Sequence, residues 1–104
     1  MTKIGEYSFK TNIVNTALTH SSFSSENYER LEFLGDSILD FLIADILYKS
    51  EDYKEDELTR ARASIVSEES LSKVFDNLNI EHMVKLGKSC PYVTRAIKCD
   101  IVES

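Results

Sequence analysis

A chain of 104 residues makes one domain at most, burying roughly 65% of its unfolded surface in one core. Twelve basic residues against eighteen acidic ones leave a net charge of -6. That excludes a protein held on nucleic acid by overall attraction, but not a local basic patch or an acidic site that reaches phosphate through a metal ion.

The opening "MTKIGEYSFK" lacks the apolar run of a secretory signal, and no stretch is apolar for long enough to cross a membrane. Cys90 and Cys99 have no zinc-like spacing and no disulfide framework around them, so the expected setting is the reducing cytoplasm. Three glycines and one proline leave few strong breakers, which favours helices. The first helical pattern is "KTNIVNTALTH", with Ile13 and Ala17 on one stripe and Leu18 close by. The polar loop "THSSFSSEN" follows, with Asn27 in place to cap the next helix and Glu29 in its first turn, where a negative charge suits the helix dipole.

The central helix is expected from Tyr28 to about Tyr48. Leu31, Leu34, Ile38 and Leu42, joined by Phe33, Phe41, Ile46 and Leu47, make an apolar surface too wide for an ordinary surface helix. The pattern predicts a largely buried helix, as a core element or an oligomer interface. On the same helix Glu29, Glu32 and Asp36 stand at i, i+3 and i+7, on one face and with no lysine among them. Like charges so placed repel, and a divalent cation would remove the penalty. A solvated helix face is the plainer alternative for acids at this spacing. Gly35 sits among them at about 1 kcal/mol disadvantage to alanine in a helix, so something needs the space beside it.

The polar block "KSEDYKEDE" ends that helix, and "ELTRARASIV" follows. Ser67 then caps "EESLSKVFDNL", whose buried stripe is Leu71, Val74, Phe75 and Leu78. "NIEHMVKLGKSCPYVT" reads as a connector around Gly87 and Pro91, and a last helix starts near Ala96, with Asp100 and Glu103 at i, i+3 on one face. No run of five alternating apolar residues occurs, so the fold class is all-α.

Among the remaining polar residues, Lys85, Lys88, Arg95 and Lys98 form an island without acids that could touch RNA phosphates or simply be a solvated loop. Arg30, Arg60 and Arg62 are expected to pair with the acidic face or stack internally. His20 reads as a packed side chain or a dipole partner rather than a general base, and Cys99 as a small buried side chain.

"ERLEFLGDSIL" resembles the signature of the ribonuclease III endonuclease domain. "ALTHSSF", "DELTRARASIVSEESLSKV", "LGK" and "IKCDIVES" flank it in the family's order and at close to its spacing. The resemblance implies a dimeric helical nuclease that cuts double-stranded RNA with Mg2+, for which Mn2+ can substitute, leaving 5′-phosphate and 3′-hydroxyl ends. It assigns the metal to Glu32, Asp36, Asp100 and Glu103, with Asp36 and Glu103 closest to catalysis. Glu29 and Glu55 match auxiliary acids of the family's catalytic valley, and Phe33 matches the residue that packs into the partner subunit. Residues 1–104 then correspond to a catalytic domain that is incomplete at its C-terminal side, without a double-stranded-RNA-binding domain. The segment after "LGK", here "SCPYVTRA", lacks the glycines usual in the family. A non-catalytic relative or fragment, kept for dimerisation or RNA binding, is the alternative expectation.

Overall fold

In the computed structural model, which describes residues 1–50 and 52–104, five α-helices follow a short β-hairpin. Glu51, within the polar block, lies outside the described residues. The hairpin pairs β1 (Thr2–Ile4) antiparallel with β2 (Tyr7–Phe9), Ile4 opposite Tyr7. Gly5 takes φ +62 at the first position of the two-residue loop, where a tight hairpin turn requires a left-handed residue. Strands of three residues are too short to show as alternation in the sequence. The other regular elements of the described chain are helices joined by loops, and no helix in it is long and apolar enough to cross a membrane.

The core forms where α1 (Thr11–Ala17), α4 (Glu68–Leu78) and α5 (Arg95–Glu103) meet. Val14 and Leu18 pack there with Phe75, Ile80, Ile97 and Ile101. α4 begins as its sequence dictates: the Ser67 hydroxyl accepts from the Ser70 N–H at 3.2 Å, and Glu68 and Glu69 occupy the first turn. Of its expected stripe Leu71 and Phe75 are buried, whereas Val74 and Leu78 lie at the edge and stay exposed; Asn79, at φ 54, closes the helix in the left-handed conformation. α5 starts at Arg95, one residue before Ala96, because the Thr94 hydroxyl caps the Ile97 N–H at 3.2 Å.

The expectation of a largely buried central helix is corrected. α2 (Glu29–Tyr48) contains no fully buried residue, and Phe33 and Phe41 are 79% and 68% exposed. Its acidic side packs against α5 and its C-terminal turns against α3 (Glu55–Ile65), so much of the apolar surface has nothing in this chain to cover it. Asn27 does serve the helix start, accepting from the Glu29 N–H at 3.0 Å. The molecule is elongated, 48 × 29 × 23 Å, with a radius of gyration of 15.1 Å against about 13 Å for a compact chain of this length.

Candidate metal centre

Two helices distant in sequence bring the acids together. α2 presents Glu32 and Asp36, one turn apart, and α5 presents Asp100 and Glu103. Glu32 faces Asp100 and Asp36 faces Glu103, each pair within hydrogen-bonding reach. The close approach of the helices explains Gly35: a Cβ there would overlap the Glu103 backbone carbonyl. The space that the sequence demanded beside this glycine is taken by the end of α5.

α5 is held firmly at that end. The Ser104 N–H donates to the Asp100 carbonyl at 3.0 Å, and the Ser104 hydroxyl lies 2.7 Å from the Ile101 carbonyl and 3.3 Å from that of Ala17. Glu103 is therefore anchored to α1 as well as to its own helix.

Electrostatically the cluster is under-compensated. No ion pair among the described residues involves any of the four carboxylates. Burial, followed by the charge and hydrogen bond of Asp100, pushes Glu32 from 4.5 up to about 7. Burial and the facing Asp36 push Glu103 from 4.5 up to about 7. Asp100 is raised too, by burial, against the hydrogen bonds from Glu32 and Tyr28 that favour its charged form. Burial and the facing acids thus disfavour the charged forms of Glu32 and Glu103, a cost that a cation between the helices would relieve. A set of hard oxygen donors with no basic partner among the described residues fits a hard divalent cation.

Cys99 is the unexpected neighbour. Its sulfur and carboxylate oxygens of Asp100 and Glu103 lie within 4.8 Å of one another. The thiol donates to Glu103 Oε1 at 3.2 Å, and burial, with Glu103 next, pushes it up to about 12. A thiol raised this far stays neutral at physiological pH, in keeping with its reading as a small buried side chain. Cys90 is likewise free.

Tyr28 went unnoticed in the sequence except as the start of a helix. Its ring is buried, and its hydroxyl donates to Asp100 Oδ2 at 3.2 Å. Burial, and after it the charge of Asp100, pushes the phenol above its ordinary value. His20 packs edge-on against the Tyr28 ring, with centroids 6.0 Å apart, which agrees with the packed-side-chain reading.

The other expected residues are dispersed. Glu29 stands in the first turn of α2, exposed and close enough to raise Glu32. Glu55 opens α3 beside Leu47, Tyr48 and Arg62, about 24 Å along the α2 axis from Glu32, and does not join the cluster. Phe33 points outward from the exposed face of α2. Of the basic island, Lys98 is 2.7 Å from Asp76 and 4.0 Å from Glu81, and Arg95 is 3.1 Å from Glu68. Lys85 and Lys88 take part in no ion pair among the described residues. Arg60 pairs at 3.7 Å with Asp56 of its own helix, not with the acidic face.

A family profile described as Ribonuclease-III-like matches residues 10–104. The chain is 49% identical over 83 residues to Ribonuclease 3 of Borreliella burgdorferi, covering 73% of this chain and 34% of that protein. It is 42% identical over 107 residues to Ribonuclease 3 of Glaesserella parasuis, covering 98% of this chain and 48% of that one. The chain thus spans about a third to a half of the length of these curated relatives. Among solved structures, the nuclease domain of ribonuclease III from Campylobacter jejuni superimposes with a TM-score of 0.87 at 35% identity. That alignment covers 93% of this chain and 73% of the other, in which a region involved in dimer formation is described as flexible.

Proposed function

The chain belongs to the ribonuclease III family, and from that premise we propose that it carries the metal centre of an endonuclease acting on double-stranded RNA. The observation that carries the reading is the facing pair of acidic helix turns, Glu32 and Asp36 against Asp100 and Glu103. In this reading those four residues hold Mg2+, or Mn2+ in its place. The cation supplies Lewis acidity and charge neutralisation at a phosphodiester. The part of the protein is to keep four oxygens fixed on two packed helices, with Asp36 and Glu103 nearest the reacting phosphate. The products would carry 5′-phosphate and 3′-hydroxyl ends, and two such sites in a homodimer would cut both strands.

Residues 1–104 are then the greater part of one catalytic domain, working in the cytoplasm. The uncovered apolar side of α2, which starts at Phe33 and runs on through Phe41 and Ile46, supports a second copy as the partner there. Recognition of the duplex would rest on A-form shape and 2′-hydroxyls. Lys85 and Lys88 are better placed for phosphate than Arg95 and Lys98, whose charges are already met by Glu68, Asp76 and Glu81. Glu29 and Glu55 keep auxiliary roles, Glu29 beside the cluster and Glu55 only through a surface outside it.

The test is cleavage of a long RNA duplex in Mg2+ by the chain and by its Glu103→Gln and Asp36→Asn variants. The reading expects cutting by the parent and a loss of about a hundredfold or more in each variant. Cleavage that survives both substitutions overturns the metal assignment. A parent that binds duplex and dimerises without cutting would mark the chain as a dimerisation or RNA-binding module instead.

A further inference from the structure

A partly buried run of contacts leads from the "LGK" loop to the acidic cluster. The Gly87 N–H donates to the Ser22 hydroxyl at 2.9 Å, and that hydroxyl lies 2.7 Å from His20 Nδ1. The Ser22 backbone N–H also donates to Nδ1, at 3.1 Å, so Nδ1 is the acceptor nitrogen and the ring proton sits on Nε2. A Cβ on Gly87 would overlap the Ser22 carbonyl, so the two loops meet backbone to backbone. His20 in turn packs edge-on to Tyr28, whose N–H donates to the Thr19 carbonyl at 3.0 Å. The run ends at the Tyr28 hydroxyl on Asp100 Oδ2, 3.2 Å away.

We propose that Tyr28 is a positioning residue for Asp100: the phenol occupies one carboxylate oxygen and fixes the plane of the group, leaving the other oxygen to the cation. The geometry favours this over a packing role alone. The ring is 96% buried, yet its polar end is directed at one of the four acids rather than at solvent or a backbone carbonyl. The backbone of Tyr28 is held by the helix-entry hydrogen bond to Thr19, and its buried ring by His20 against one side, which limits the freedom of the hydroxyl to leave Asp100. Asp100 is one turn from the C-terminal end of α5, and the phenol reaches it from the N-terminal end of α2, so this hydrogen bond ties the two halves of the cluster together. Through Ser22 and His20, the position of the "LGK" loop bears on the same ring.

The inference rests on the reading of Asp100 as a metal ligand, and the experiment separates the two. Mn2+ affinity is measured on the purified chain by calorimetry and by electron paramagnetic resonance of the free ion, with no RNA present. Tyr28→Phe removes only the hydroxyl and should weaken Mn2+ binding by about tenfold. In an Asp100→Ala background the same substitution should cause no further loss, because the acceptor of the hydroxyl is already gone. An equal loss in both backgrounds would reveal a purely structural ring and overturn the proposal, as would an affinity within twofold of the parent. No Mn2+ binding by the parent would sink the metal reading and this inference with it. A second measurement needs no variant to fold: with tyrosines labelled at Cζ, Tyr28 should shift on Mg2+ addition while exposed Tyr7, Tyr48, Tyr53 and Tyr92 stay in place. A Tyr28 signal indifferent to Mg2+ in a chain that binds the ion overturns the proposal.

Discussion

α4 and α2 both carry enough apolar residues to build a core, and only α4 uses them inside this chain. In α4 the apolar stripe is narrow, the opposite side is charged, and Leu71 and Phe75 disappear into the interior. α2 is turned the other way: its acids face another helix of the same chain, and Phe33, Leu34, Phe41 and Ile46 face out. Patterning shows that a face will be covered, and the rest of the chain decides by what. An inward acidic side and an outward apolar one are what a helix needs when it has a cation to hold and a partner to meet.

The sharpest way to break that contrast is to truncate one phenylalanine from each helix. Phe75→Ala, at a side chain 1% exposed, should destabilise the chain by about 3–5 kcal/mol in urea unfolding. A loss under 1 kcal/mol would mean that α4 is not the core helix. Gly35→Ala tests the other side of α2. Alanine ordinarily favours a helix, yet here its methyl would drive Glu103 away, so a loss of about 1–3 kcal/mol is expected, together with weaker Mn2+ binding. A stabilised variant would show that α5 does not press on this glycine.

Acidity gives a smaller effect with a definite sign. Glu32 and Glu103 have folded values of about 7 against ordinary values of 4.5. The folded chain therefore holds protons that the unfolded chain has released. Their contribution to stability is full below about 4.5, declines as pH rises, and is gone above about 7. Without metal, Tm should be a few degrees lower at pH 8 than at pH 5.5, and saturating Mg2+ should remove the difference. A metal-free Tm that climbs over this interval contradicts the assignment. Phe33→Ser should do least to the isolated fold, within about 0.5 kcal/mol, while abolishing self-association in sedimentation. Unaltered association would remove the outward face of α2 from the dimer.

Helical spacing shows which acids share a face, while their meeting across two helices was implied only by the family resemblance. Glu32 with Asp36, and Asp100 with Glu103, needed only the correct period. Ser67 as a cap, and the vacancy required at Gly35, follow from equally local rules, whereas the Thr94 cap of α5 emerged only in the structure. The hidden features are the ones that join distant segments. Tyr28 on Asp100 spans 72 positions, and Gly87 on Ser22 spans 65, so neither leaves a local trace. Lys98 and Arg95 looked unpaired along the chain because Asp76, Glu81 and Glu68 lie in other elements. The expected burial of α2 failed for the same reason, since the width of an apolar surface does not say which molecule covers it.

The separation of Glu32 from Asp100 also sets an order of events at the ribosome. Synthesis at about 5–20 residues per second delivers α2 several seconds ahead of α5. During that interval Glu32 and Asp36 are only a charged helix face in water, with no opposing acids and no cage. Glu32 and Asp36 therefore meet their opposing acids only after α5 has emerged and settled against Gly35, whereas the apolar face of α2 is laid out from the moment the helix forms.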